Sequence, residues 1–374
     1  MNFKAEQKTE PKPLFLERMK KLLGDGISSY LNSIKNPVLN SIRCNTLKIS
    51  PENLKKRLEG KGWKILQHFK EFQEIIVVEG KYANSNDEIN GEDDSKTKLW
   101  SSNVNNKGGD NLKNECYNIN PKKNYGINNI RDLSPGELGR ALEHMLGYYY
   151  IQEISSMLPV LALQPEQDEI ILDLAAAPGS KTTQIASAMK NTGTIIANDI
   201  SLGRIKILSS NLERCGVTNT IITRKDGAEL CRKLKENNFM INKILLDAPC
   251  SGEGTILSNP KTAQMWNIQT VKNLSGIQKR LISNALEFLK PGGVLVYSTC
   301  THAPEENEEV VDFALKKFGN KISIEKISLP LKCREGITDW ENKKYSEELK
   351  NACRIYPQDN NTEGFFIAKM RKLR

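Results

Sequence analysis

The chain has 374 residues, 38% of them hydrophobic and 26% charged, enough for one large catalytic domain and a smaller companion. No run approaches the roughly 20 consecutive apolar residues that span a bilayer, and the polar start Met1-Asn-Phe-Lys-Ala-Glu-Gln-Lys8 lacks the apolar core of a secretion signal. Lys and Arg exceed Asp and Glu by 54 to 45, a formal charge of +9 that suits a polyanionic partner.

Residues 1–40 read as an N-terminal helical segment, with Leu14, Leu16, Met19, Leu22 and Leu23 on one face. A strand is expected over Ser41–Leu47. Ser50-Pro51 then caps a helix from Glu52 to Leu58. Short strands follow at Trp63–Leu66 and Glu74–Val78. Between about 81 and 128 Asn, Lys, Asp, Gly and Ser dominate and hydrophobic periodicity stops, which predicts a disordered insertion. Ser134–Leu146 reads as a helix and Tyr148–Gln152 as a last strand. The order strand-helix-strand-strand-helix-strand over 41–164 describes a small α+β unit resembling an RNA-recognition fold. Arg43 and Lys48 in it are candidates for phosphate contact, whereas His144 is given no role.

From 165 to 374 strands and helices alternate, at Ile170–Asp173, Thr194–Asp199, Asn219–Ile222, Lys243–Asp247 and Gly293–Tyr297. Arg354–Tyr356 and Gly364–Lys369 would close the sheet. This is the rhythm of a doubly wound, Rossmann-like α/β domain with a mostly parallel sheet. Ligands in such sheets bind outside the carboxyl ends of the strands. Four acids stand at those ends, Asp173, Asp199, Asp226 and Asp247, which predicts a pocket for a nucleoside-like ligand. The loop Ala175-Ala-Ala-Pro-Gly-Ser-Lys181 lets backbone approach a ligand closely. It is neither GxGxxG nor a P-loop, because Ala175 stands at the first glycine position and Ser180 precedes the lysine.

Eight cysteines show no CxxC spacing, so no zinc or other metal site is expected. Cys44, Cys215 and Cys231 are expected to pack as small apolar residues, while Cys116, Cys333 and Cys353 lie in irregular sequence and receive no assignment. Cys250 and Cys300 are different, for both fall at strand ends over the ligand edge. Cytosine C5 is a poor nucleophile until a thiolate has added at C6, chemistry that needs an activated cysteine beside the base. These positions alone do not say which cysteine attacks. A methyltransferase for exocyclic nitrogens would call for an Asn- or Asp-Pro-Pro-aromatic motif where Asp247-Ala-Pro-Cys250 stands.

With these motifs the sequence resembles the NOL1/NOP2/Sun (NSUN/RsmB-like) family of RNA cytosine-5 methyltransferases. The resemblance runs through Ile42–Lys48, Gln152–Pro159, Asp173–Thr182, Asp247–Gly254, Tyr297–Thr301, Glu305–Glu309 and Gly364–Lys369. It implies the class I S-adenosylmethionine methyltransferase fold and methyl transfer to C5 of a cytosine in tRNA or rRNA. It also implies that Ala175, Ala176, Ala177, Pro178, Gly179, Ser180 and Lys181 line the cofactor site. Asp199 would hold the ribose hydroxyls, with Arg204 nearby and Asp226 toward the adenine. Asp247 would contact the polar edge of the target cytosine, Cys300 would attack C6 and Cys250 would assist release. Ala175 and Ser180 depart from the usual Cys and Gly, and Ser180 raises the question of backbone freedom. The expected partner is RNA with its target base unpaired or flipped out, bound by an intracellular monomer, cytoplasmic or nuclear/nucleolar. A catalytically silent RNA-binding scaffold in ribosome assembly is the alternative, against which the intact cysteine pair argues.

Overall fold

Pro13, whose fixed φ suits a first helical turn, opens α1 (Pro13–Leu23) in the computed structural model, which describes residues 11–82 and 130–374. The insertion expected at 81–128 therefore lies, from residue 83 on, outside the described residues. After one tight turn α2 (Ile27–Ser33) follows. Phe15, Met19 and Tyr30 are buried among Ile256, Trp266 and Ala303 of the large domain. Leu14, expected on the inner face, is 47% exposed, because Phe15 takes the inward position.

The small domain runs β1 (Ser41–Cys44), α3 (Pro51–Glu59), β2 (Trp63–Leu66), β3 (Ile75–Tyr82), β4 (Ile130–Arg131), α4 (Glu137–Arg140), α5 (Leu142–Met145) and β5 (Tyr149–Ile151). Ser50 Oγ caps α3, accepting from the Asn53 N–H at 3.3 Å. The antiparallel order β2-β3-β1-β5, with β4 added to β3, is the expected RNA-recognition-like arrangement. The helix expected over Ser134–Leu146 is instead two short pieces broken at Ala141, where ψ is 140°. Tyr149 Oη donates to the Leu138 carbonyl at 2.6 Å, the group an unbroken helix would offer to the Leu142 N–H.

Strand alternation sends Ile42, Cys44, Ile76 and Val78 to one face, beneath Leu54 and Leu58 of α3. The opposite face is covered by the large domain rather than open to a ligand: Ile75 and Val77 pack into one cluster with Met157 and Leu158. Arg43 lies on this covered face and is 1% exposed, which corrects its expected role at phosphate. Its guanidinium donates to Gln152 Oε1, to the Ser180 carbonyl at 2.6 Å and to Thr183 Oγ1 at 2.7 Å. Lys48 is also engaged at the junction, donating to the carbonyls of Leu146 and Arg214.

The large domain comprises α6 (Ile154–Leu163), β6 (Ile170–Asp173), α7 (Ser180–Ala188), β7 (Thr194–Asn198), α8 (Leu202–Cys215), β8 (Thr220–Thr223), α9 (Gly227–Glu236) and β9 (Lys243–Asp247). It continues through α10 (Lys261–Met265), α11 (Ile268–Phe288), β10 (Val294–Thr299), α12 (Glu308–Phe318), β11 (Ile322–Glu325), β12 (Arg334–Glu335) and a β13 (Asp339–Trp340)/β14 (Lys343–Lys344) hairpin. β15 (Cys353–Ile355), α13 (Pro357–Asn360) and β16 (Phe365–Lys372) complete it. The sheet order is β12-β15-β16-β10-β9-β6-β7-β8, parallel from β10 to β8 and antiparallel at β16, with β11 also on β16. Direction of travel reverses between β6 and β9, which opens a crevice at their carboxyl ends. Helix α6, expected in the small domain, packs its Met157, Leu158 and Val160 on the large sheet. Cys333 and Cys353 are joined as a disulfide that ties the entry of β12 to β15. Among the described residues no helix is long and apolar enough to cross a membrane.

Replacing Arg43 by Met leaves three acceptors at the domain junction without their donor. Unfolding free energy should fall by about 3 kcal/mol, measured by denaturant titration; a loss under about 0.5 kcal/mol would show that the junction does not depend on it.

Candidate active site

The carboxyl ends of β6, β7, β9 and β10 bring most of the expected residues together. β6 delivers Asp173, 1% exposed, whose Oδ2 accepts from Thr182 Oγ1 at 2.7 Å while Oδ1 has no partner. Burial, with Asp247 and Asp199 nearby, pushes this carboxyl up to about 7. The loop then turns at Gly179, which has φ 105° and where a Cβ would come within 2.9 Å of Leu208 Cδ1. Glycine is needed there. Ser180 is the first residue of α7, so the departure from glycine occupies ordinary helical backbone and imposes no strain.

At the end of β7, Asp199 is 2% exposed; its Oδ1 accepts from the Ser201 N–H at 2.9 Å. Its Oδ2 accepts no well-aligned hydrogen bond, although Arg204 Nη1 stands 3.1 Å away. Arg204 also donates to the Ala177 carbonyl, tying α8 to the loop. Asp226 is placed differently. It caps α9 through the N–H groups of Ala228 and Glu229, and Arg280 grips both its oxygens at 2.7 Å. The Arg280 hydrogen bond holds that carboxyl below the usual range. An enclosed carboxylate with a free oxygen, a close-approach glycine and the free N–H groups at the start of α7 together fit a nucleoside-bearing ligand that carries its own donors.

Beside this cradle stands the reactive cluster. Lys181 Nζ donates to Asp247 Oδ2 at 2.7 Å and to Ser156 Oγ at 3.0 Å, and lies over the Phe365 ring. Asp247 Oδ1 accepts from Ser298 Oγ at 2.7 Å. Cys250 and Cys300, both half-buried, face each other with their sulfurs 3.2 Å apart, and the Cys300 N–H points at Cys250 Sγ. The hydrogen bond to Cys300, together with burial, raises the Cys250 thiol well above its ordinary value.

The loops that carry these cysteines are bound to one another. The Gly254 N–H donates to the Cys300 carbonyl, and the Gly364 N–H to the Gly254 carbonyl, each at 2.9 Å. The contact is close enough that a Cβ on Gly254 would lie 2.2 Å from the Gly364 oxygen. Ser251 Oγ and Thr301 Oγ1 form a second rung at 2.9 Å.

Sequence reasoning gave no role to the run Glu305–Glu309. An acidic run ordinarily marks a solvated face, yet Glu306, Asn307 and Glu308 are all 0% exposed. Glu306 accepts from the Ser251 N–H and Oγ–H and from Gln278 Nε2. Glu308 pairs with buried Arg354, which also donates to the His302 carbonyl at 3.1 Å. Arg18 of α1 bonds both oxygens of Glu305. The signal was present in the match of Glu305–Glu309 to a family motif, but burial was not readable from it.

Residues 160–371 match the family model described as 16S rRNA methyltransferase RsmB/F, and residues 12–70 that of the N-terminal domain of 16S rRNA methyltransferase RsmF. A tRNA (cytosine(49)-C(5))-methyltransferase of Pyrococcus abyssi is 54% identical over 236 residues, 63% of this chain and 74% of the relative. Ribosomal RNA small subunit methyltransferase F of Aliivibrio salmonicida is 36% identical over 96% of this chain, which spans 63% of that relative's length. Among solved structures, a methyltransferase homologue from Pyrococcus horikoshii has TM-score 0.72 at 33% identity, covering 97% of this chain and 95% of its own. NSun6 from the same organism, solved with SFG, has TM-score 0.72 at 27% identity, covering 97% and 98%.

Burial raises the Glu306 carboxyl to about 7, above the roughly 4 of an unfolded chain. Its contribution to stability is therefore fully present below about pH 4 and lost as pH rises through 7. Glu306→Gln, which mimics the protonated form, should gain on wild type in unfolding free energy between pH 4 and pH 8, by on the order of 3 kcal/mol. Thermal unfolding across that range reads it; a constant gap between the two proteins would count against a buried, protonated Glu306.

Proposed function

We propose that this chain, which belongs to the 16S rRNA methyltransferase RsmB/F family, transfers a methyl group from S-adenosylmethionine to C5 of a cytosine in RNA, with Cys300 as nucleophile. The observation that carries the reading is the pair of facing thiols 3.2 Å apart at the carboxyl edge of the sheet, beside the Lys181–Asp247 pair. The tRNA and small-subunit rRNA methyltransferases among the relatives support tRNA or small-subunit rRNA as the substrate class.

S-Adenosylmethionine, when bound, supplies an electrophilic methyl on a sulfonium. Residues Ala175–Lys181 would line its site, Asp199 Oδ2 would accept from the ribose hydroxyls, Arg204 would hold the loop, and the edge near Asp226 would take the adenine. The NSun6 neighbour solved with SFG, an analogue of S-adenosylmethionine, supports that cofactor.

Cys300 acts as thiolate, with the Cys250 sulfur facing it at 3.2 Å. Its sulfur forms a bond to C6 of the cytosine, and the electron pair moves toward C5, which takes the methyl. Asp247, fixed between Ser298 and Lys181, accepts from the amino group at the polar edge of the base, and the Lys181 ammonium beside it offsets the negative charge that develops on the ring. The C5 proton must then leave so that the C6–S bond can break. The interaction with Cys300 is the first cause of the raised Cys250 thiol. Cys250, facing the sulfur that carries the adduct, is placed to take the C5 proton. The same two thiols thus serve attack and release in turn.

Methyl transfer from labelled S-adenosylmethionine to total RNA tests this. Wild type should transfer, Cys300→Ala should lose activity by at least about a thousandfold, and Cys250→Ala should accumulate a denaturation-resistant protein–RNA adduct. Full activity in Cys300→Ala would overturn the nucleophile. Wild type that binds cofactor and RNA yet transfers nothing would favour the scaffold. Asp199→Ala should weaken cofactor binding by about ten- to a hundredfold, read by calorimetry, with little change in Tm.

A further inference from the structure

The two sulfurs are placed for a second reaction. At 3.2 Å they stand about 1.1 Å beyond the length of a disulfide bond. Their positions are fixed from both sides: the residue following each cysteine is bonded to its counterpart, Ser251 Oγ to Thr301 Oγ1 at 2.9 Å. The Gly254 N–H holds the Cys300 carbonyl, and the Cys300 N–H faces Cys250 Sγ at 3.3 Å. We propose that Cys250 and Cys300 close into a reversible disulfide when the protein meets a hydroperoxide, switching the site off and protecting Cys300 from irreversible oxidation.

The step is balanced in two stages. The Cys300 thiolate attacks a peroxide oxygen, the O–O bond breaks, and Cys300 becomes a sulfenic acid as hydroxide leaves. The Cys250 sulfur then attacks the Cys300 sulfur, forming S–S while the S–O bond breaks. The hydroxyl group and the Cys250 proton depart as water. Two electrons pass from the thiols to the peroxide, and a dithiol reductant returns them by exchange. A resolving thiol this close intercepts the sulfenic acid before it takes a second oxygen.

Selectivity follows from the surroundings of the other cysteines. Cys44, Cys215 and Cys231 are buried; burial pushes Cys44 and Cys231 to about 12, so their reactive thiolates are scarce. Cys333 and Cys353 are already joined. Only the Cys250–Cys300 pair among the described residues joins partial exposure to a partner in reach.

The loss of activity rests on the methyltransferase reading, but the chemistry does not, and the experiment separates them. The full chain is treated with hydrogen peroxide, free thiols are alkylated, and peptides are mapped by mass spectrometry beside the labelled-methyl assay. The expected result is a cross-linked Cys250–Cys300 peptide, a loss of methyl transfer of at least about tenfold in step with it, and recovery of both with dithiothreitol. In Cys250→Ser, Cys300 should instead be captured by dimedone and advance to sulfinic acid that dithiothreitol does not reverse. Sulfinic acid on Cys300 in wild type without the cross-link would overturn the proposal, as would a cross-link that dithiothreitol does not open. A cross-link formed in a protein that transfers no methyl before oxidation would sustain the dithiol chemistry and sink the methyltransferase reading.

Discussion

The chain of backbone hydrogen bonds that runs from Gly364 to Gly254 to Cys300 joins three segments distant in sequence: the end of β10, the turn after β9 and the entry to β16. No side chain takes part, so the constraint falls on backbone approach, and two glycines are what that approach requires. Much else in the large domain can be understood as holding these three segments in place. Arg354 on β15 reaches the His302 carbonyl and Glu308. Tyr297 Oη reaches the Glu306 carbonyl. The N-terminal helix closes the set from outside through Arg18 and Glu305. Each brace is a buried polar group with its partner, and a partly satisfied network of this kind would be worse than an apolar one.

The site's electrostatics divide along the same line. On the cofactor side, acids are left with spare acceptor capacity: Asp173 Oδ1 has no donor, and Asp199 Oδ2 faces Arg204 without a well-aligned hydrogen bond. On the reaction side both carboxylates are engaged, Asp247 by lysine and serine, Glu306 by serine and glutamine. The first arrangement awaits a ligand's hydroxyl and amino groups. The second is preorganised and need not rearrange as charge develops.

What the sequence made legible was the geometry that strand ends impose. Asp173, Asp199 and Asp247 end runs of β-branched and leucine residues, and the α/β rhythm places such ends along one edge; the two cysteines follow for the same reason. What it hid was burial against charge-patterning. Arg43 read as a candidate phosphate contact and the acids from Glu305 to Glu308 as motif residues without a role, because charged residues are seldom fully buried; only the tertiary neighbours show that each is enclosed with a partner. Asp226 was legible as a strand-end acid, but its clamp by Arg280, 54 residues later, was not. Local competition was equally invisible: nothing before Tyr149 signals that its hydroxyl will take the Leu138 carbonyl and break a helix. The Cys333–Cys353 bond needed a strand pairing that two-residue β12 is too short to announce.

The covered face of the small sheet bears on how such proteins can be recombined. Its Ile75, Val77 and Arg43 are complementary to α6 and to the first turn of α7, the same turn that frames the cofactor loop. A small domain transplanted from a relative would bring its own sheet face but not the matching carbonyl of Ser180 and hydroxyl of Thr183. Chimeras should therefore be cut so that β1, β3 and the stretch from Gln152 through Thr183 come from one parent, and the apparent linker between the domains is the poorest place to splice.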